Sequence, residues 1–134
     1  MIAVDSSVLL DILIDDPAFA DASGSSLEQA ISVGDVVVCE AVVAEVQAML
    51  DTRETAMDAL AEFGIRYVPI SENAAVRAGH MQRRFRDRGG RRQRVVADFL
   101  IGAHALLQCQ GLITRDADFF RDYFKGLKVI VPKA

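Results

Sequence analysis

The feature that most constrains this chain is an alternation. A short apolar run of strand type is followed by helical spacing and then by the next strand, from one end of the sequence to the other. Residues 2–5 (IAVD) form the first such run. Residues 6–14 switch to a helical period, with Val8, Leu9, Ile12 and Leu13 on one side and Ser6 or Ser7 placed to cap the helix. Pro17 suits a first helical turn and predicts a second helix to about Ile31. After the turn at Gly34-Asp35 come a β-branched strand at 36–39, a helix over 40–50 and another over 52–63 that ends at Gly64. The pattern repeats with a strand at 65–70, a helix from 72 to 87 capped by Ser71 and broken by Gly89-Gly90, and a strongly apolar helix over 95–109. It closes with a strand at 112–114, a short helix at 116–124 and a strand at 127–131. Strands joined through helices pair in parallel. The expectation is therefore one α/β domain over 1–134, a mainly parallel sheet sandwiched by helices. In such sheets functional groups collect outside the carboxyl ends of the strands.

Apolar residues make up 51% of the 134, enough to bury a sizeable core. No uninterrupted apolar stretch approaches the roughly 20 residues of a membrane-spanning helix. The opening MIAVDSSVLLDIL has no basic start and is cut by Asp5 and Asp11, so it does not read as a signal peptide. Cys39 and Cys109 lie in apolar surroundings without metal spacing and read as reduced core thiols of a cytoplasmic protein. The net charge of −4 hides an asymmetry. Residues 83–94 hold seven arginines (Arg83, Arg84, Arg86, Arg88, Arg91, Arg92, Arg94) against Asp87, a net of +6, which leaves 8 basic and 18 acidic residues elsewhere, a net of −10. A basic strip on an acidic body suits a polyanionic partner, although a solvated arginine-rich loop has the same composition.

Four acids fall where this architecture places a site. Asp5 ends the first strand, and Asp116 follows the strand at 112–114 with only Arg115 between. Glu45 lies one turn into the helix after the second strand, among Val42, Val43, Val46 and Met49. Asp98 begins a helix, VVADFLIGAHALL, that is apolar on nearly every side. An ionised carboxylate there is costly unless it is paired or bound to a cation. Carboxylates gathered together repel one another, which protonation or a divalent cation relieves. Each acid alone has a plainer role: Asp5 and Asp116 as helix caps, Asp98 as a first-turn acid, Glu45 as a surface residue. Their shared position at one sheet edge favours a site. Ser7 and Thr114 bring hydroxyls beside two of the acids, either to hold a carboxylate or to cap helices. Asp118 is an accessory ligand or a solvated helix residue, while Asp11, Asp15 and Asp16 read as solvent-facing.

Competing chemistries lack their parts. His80 and His104, the only histidines, show neither triad nor metal spacing. A phosphotransferase with an aspartyl nucleophile needs a second acid where Ser7 stands, and a downstream Lys that Lys125, Lys128 and Lys133 are poorly placed to supply. A receiver-type domain needs an acid adjacent to Asp5. Carboxylate-only ligands suit Mg²⁺ or Mn²⁺ better than zinc.

At this point the chain resembles the PIN-domain ribonucleases and, within them, the VapC-type toxins of toxin–antitoxin modules. The matching residues are Asp5 in AVDSSVLLDIL, Glu45 in VVVCEAVVAEV, Asp98 in ADFLIGAHAL and Asp116 in LITRDADFF, an ordered set spread over nearly the whole length. The resemblance implies an α/β/α sandwich in which Asp5, Glu45, Asp98 and Asp116 are catalytic and hold Mg²⁺ or Mn²⁺. It also implies endonucleolytic cleavage of RNA, often tRNA or ribosomal RNA, and a small antitoxin that wraps the toxin and blocks its site. Members are commonly homodimers. Because an acidic pocket repels RNA, the arginines of 83–94 are the expected contacts to its backbone. Glu40 stands where many relatives carry Ser or Thr, five residues before the second acid. A non-catalytic binding module on the same scaffold is the alternative.

Overall fold

A computed structural model describes residues 1–50, 55–89 and 94–133. Among them, five strands pair in parallel in the order β3-β2-β1-β4-β5. The strands are β1 (Ile2–Val4), β2 (Val36–Val38), β3 (Arg66–Tyr67), β4 (Leu112–Ile113) and β5 (Val129–Ile130). The helices are α1 (Ser6–Leu13), α2 (Ala20–Val33), α3 (Glu40–Met49), α4 (Ala56–Glu62), α5 (Glu72–Asp87), α6 (Val96–Gln108) and α7 (Ala117–Tyr123). The element order expected from the sequence is thus the observed one, and the sheet is parallel throughout.

The central strands are covered on both faces, which explains why they read as continuous apolar runs. Val36, Val37, Val38, Leu112 and Ile113 are all buried, as are Val8 and Leu9 of α1. Beside them, aromatic side chains join three helices. Phe99 of α6 meets Phe85 of α5 at 5.8 Å and Phe119 of α7 at 5.3 Å, both edge-to-face. Gly102 lets α6 lie against this group, because a Cβ there would stand 2.3 Å from the Phe124 ring.

Several boundaries shift for local reasons. The second helix begins at Ala20 rather than at Pro17, because Asp16 Oδ1 accepts hydrogen bonds from the N–H groups of Ala18 and Phe19 and takes that stretch into a turn. The start expected for the helix at 52 lies outside the described residues, and Thr55 caps α4 by accepting from Asp58 N–H. The strand expected at 65–70 keeps only two residues. Pro69 has no N–H for a ladder, and side chains hold the next stretch instead. Glu40 Oε1 accepts from Ile70 N–H, Gln108 bridges Pro69 O and Ser71 N–H, and His104 Nε2 lies 2.9 Å from Val68 O. Glu40 is thereby tied to the loop after β3, and His104 is a buried scaffold residue.

The strand order positions the site. From β1 the chain builds outward through β2 and β3, then returns to the other side of β1 for β4 and β5. The connections therefore diverge between β1 and β4, leaving a crevice beyond their carboxyl ends. Among the described residues, no helix is long and apolar enough to cross a membrane.

Candidate functional site

Asp5 is fixed where β1 ends. Its N–H donates to Ile113 O at 2.9 Å, extending the β1–β4 ladder by one bond. Its carboxylate is only 6% exposed and is held by hydroxyls. Thr114 Oγ1 donates to Oδ2 at 2.7 Å and Ser7 Oγ donates to the same atom at 3.0 Å. Ser6 Oγ donates to Glu45 Oε1 at 2.8 Å and stands 3.4 Å from Asp5 Oδ1, so one hydroxyl joins the first strand's acid to that of α3. The expected capping of α1 by Ser6 or Ser7 does not occur. Asp5 is the N-cap residue without a side-chain cap bond, and both hydroxyls serve carboxylates. Ser6 was legible only as a cap, because nothing in its local sequence points to Glu45.

Thr114, fully buried at the end of β4, has a second task. While donating to Asp5 it accepts from Asp116 N–H at 3.0 Å, tying Asp5 to the backbone that carries Asp116. Asp98 enters from the first turn of α6, half-buried, with its own N–H donating to Val95 O at 3.0 Å.

The electrostatics show that these acids share one environment. Burial pushes the Asp98 carboxyl up to about 6; Arg94 pulls it down, and the charges of Glu45 and Asp5 add to the push. Asp5 is held above the usual carboxylate range by burial, against the hydrogen bonds from Thr114 and Ser7, with Asp116 adding repulsion. Shared hydroxyls thus link Asp5 to Glu45 and to the backbone of Asp116, and Asp98 lies within reach of the charges of Glu45 and Asp5.

Among the described residues, one cation is ion-paired with these acids. Arg94 ion-pairs through Nη1 with Asp116 Oδ2, and its guanidinium stacks 4.2 Å from the centroid of the Phe119 ring. The oxygen-only donor set, carrying more negative charge than Arg94 offsets, suits a hard divalent cation. The arrangement is not a finished cage: among the described residues, no three acidic, His or Cys side chains form a ready-made metal-binding group.

The other predicted residues are dispersed. Asp118 is exposed in the first turn of α7. Arg83, Arg84, Arg86 and Arg88 are exposed along and just beyond α5. Arg83 lies 3.7 Å from Asp87, and Arg88 lies 3.6 Å from Asp122 and over the Tyr123 ring. Arg91 and Arg92 lie outside the described residues. Asp11 corrects the sequence reading, because it is 2% exposed rather than solvent-facing. It receives Nε and Nη2 of Arg115 at 2.7 and 2.9 Å and Ser23 Oγ at 2.8 Å. The helical period of α1 turns Asp11 inward, and its partner is 104 residues away. Of the other two acids read as solvent-facing, Asp15 is exposed and Asp16 caps the turn before α2.

By sequence, residues 2–125 match the family described as PIN domain. No curated protein sequence gives a significant match. Among solved structures, the fold is similar to that of VapBC2 from Rickettsia felis bound to a DNA fragment from their promoter, at 19% identity over 99% of this chain and 100% of the other, with a TM-score of 0.75. It is also similar to DNA-bound VapBC from Salmonella typhimurium, at 12% identity over 98% of each chain and a TM-score of 0.71. A third similar structure is Mycobacterium tuberculosis VapC20, a sarcin-ricin loop cleaving toxin, at 18% identity over 96% of this chain and 99% of that one, with a TM-score of 0.65.

Proposed function

The chain belongs to the PIN-domain family, and on that premise we propose that it is a divalent-metal-dependent endoribonuclease of the VapC toxin type. PIN nucleases generally use divalent metals. The observation that carries the reading is the convergence of Asp5, Glu45, Asp98 and Asp116, from four separate elements, on the crevice between β1 and β4. These four would hold Mg²⁺ or Mn²⁺. Such a cation, when bound, supplies positive charge to a phosphodiester and makes water a better nucleophile.

The protein's own groups have distinct tasks in this reading. Thr114 and Ser7 lock the Asp5 carboxylate in one orientation, so that it needs little reorganisation to act as a ligand. Ser6 restrains Glu45, which is only half-buried and stands nearer solvent. Asp98 carries its full negative charge only above about pH 6. Arg83, Arg84, Arg86, Arg88, Arg91, Arg92 and Arg94 are proposed to meet the RNA backbone, with Ser7, Thr114 and Asp118 as accessory groups. The proposed substrate is structured RNA, tRNA or ribosomal RNA; one structural relative is itself described as cleaving the sarcin-ricin loop. Relatives in toxin–antitoxin complexes support a cognate antitoxin as partner. A homodimer in the cytoplasm completes the proposal.

The non-catalytic alternative draws on one observation, the hold of Arg94 on Asp116. Incubating the protein with a mixed RNA pool separates the two. Cleavage with Mg²⁺ or Mn²⁺, none in chelator and none by Asp98→Asn is expected. Equal behaviour of wild type and variant would overturn the nuclease reading.

A further inference from the structure

We propose that Arg94 is a positioning residue that competes with the divalent cation for Asp116, and so sets how tightly the site holds metal. The proposal rests on the nuclease reading above and concerns a residue that the reading counts only among RNA contacts.

Arg94 differs from the other arginines of its strip. Arg83, Arg84, Arg86 and Arg88 are exposed, whereas the Arg94 side chain is 23% exposed and turned into the acids. Among the described residues it is the one cationic side chain ion-paired with any of the four. Its position is built. Arg94 directly precedes Val95, the N-cap of α6, so it enters the site beside Asp98. Its planar guanidinium rests on Phe119, which is itself buried and packed edge-to-face on Phe99. A solvated surface arginine has no such platform.

The consequence follows from counting charge. Four carboxylates and one guanidinium leave a negative surplus, so a divalent cation is still drawn in. Asp116 Oδ2, however, already accepts from Arg94 Nη1. An oxygen that accepts a charge-assisted hydrogen bond is a poorer metal donor until the bond is broken. Because arginine stays charged at any working pH, only displacement frees Asp116. Asp5 and Asp98 have no such competitor ion-paired to them among the described residues, so the competition is confined to the Asp116 side of the crevice.

The test is Mn²⁺ titration of the metal-free protein without RNA, read by calorimetry or by the electron paramagnetic resonance of free Mn²⁺. Melting curves check that each variant is folded. Arg94→Gln is expected to bind Mn²⁺ roughly tenfold more tightly than wild type, the equivalent of one partly buried charge-assisted bond. Arg94→Lys, which keeps the charge but loses the stacked fork, is expected to fall between them, and it carries the test if Arg94→Gln does not fold. Arg88→Gln is expected to match wild type. Mn²⁺ binding by wild type with unchanged or weaker binding by the Arg94 variants overturns the role of Arg94 and leaves the nuclease reading standing. No Mn²⁺ binding by any form overturns both. Binding by Arg94→Gln alone supports the competition in its strongest form.

Discussion

Asp11 and Asp98 are both helix carboxylates withdrawn from solvent, yet their surroundings are opposite. Asp11 is more buried, and its oxygens are filled by a two-pronged Arg115 and by Ser23. The Arg115 guanidinium is in turn stacked 4.1 Å from the Phe19 ring centroid. Asp98 is less buried, has no ion pair of its own among the described residues, and faces the negative charges of Glu45 and Asp5 as well as the Arg94 cation that is paired with Asp116. Burial alone therefore does not mark a functional acid. The distinguishing property is burial combined with an excess of like charge. The first arrangement fastens α1 to α2 and to the loop after β4. The second keeps its charge poorly balanced, as a cation site must before the cation arrives.

Substitutions on the two sides should separate activity from stability. The largest effect is expected on activity: Asp5→Asn or Asp98→Asn should lower metal-dependent RNA cleavage by about 100-fold or more, the loss of several kcal/mol of transition-state stabilisation. Single-turnover cleavage checks this, and a residual rate close to wild type would place the chemistry elsewhere. On the Asp11 side, Arg115→Ala leaves a buried carboxylate without its cation and should cost about 3 kcal/mol of stability. Urea unfolding measures it; a loss under about 1 kcal/mol would show the pair to be ornamental. Gly102→Ala tests the packing of α6 against Phe124. The added methyl meets the buried Phe124 ring and should destabilise by about 1–3 kcal/mol, read as a lower melting temperature.

The smallest effect has the opposite sign. Burial pushes the Asp98 carboxyl of the folded state up to about 6, against an ordinary value of 3.8. Between those values the native state binds more protons than the unfolded chain, so this group makes stability fall as pH rises from about 4 to 6. Asp98→Asn removes the penalty. The metal-free variant should be about 1 kcal/mol more stable than wild type at pH 7, with the gap closing below pH 4, which melting curves across pH would show. A variant less stable than wild type at pH 7 would mean that the attraction of Arg94 outweighs burial and repulsion.

The sequence revealed the acids at strand ends and helix starts because a parallel sheet brings those ends to one edge, whatever the distance along the chain. Asp5 and Asp116 could be placed together by that rule alone. What depended on partners from other elements was hidden. Asp11 looked solvent-facing because Arg115 lies at the far end of the sequence, and Ser6 looked like a cap because Glu45 is on another helix. Arg94 looked like its neighbours because composition shows that a strip is basic but not which member turns inward onto Phe119. The length of β3 was overestimated because Pro69, Glu40 and Gln108 reassign its backbone partners.

In the proposed reading, the crevice between β1 and β4 gathers its acids in order to hold a divalent cation. Calorimetric titration of Mn²⁺ into wild type, Asp98→Asn and Arg115→Ala at pH 7 tests it most directly. Wild type is expected to bind saturably, Asp98→Asn at least about tenfold more weakly, and whatever fraction of Arg115→Ala is folded with near-wild-type affinity. Equal Mn²⁺ affinity for wild type and Asp98→Asn would contradict it.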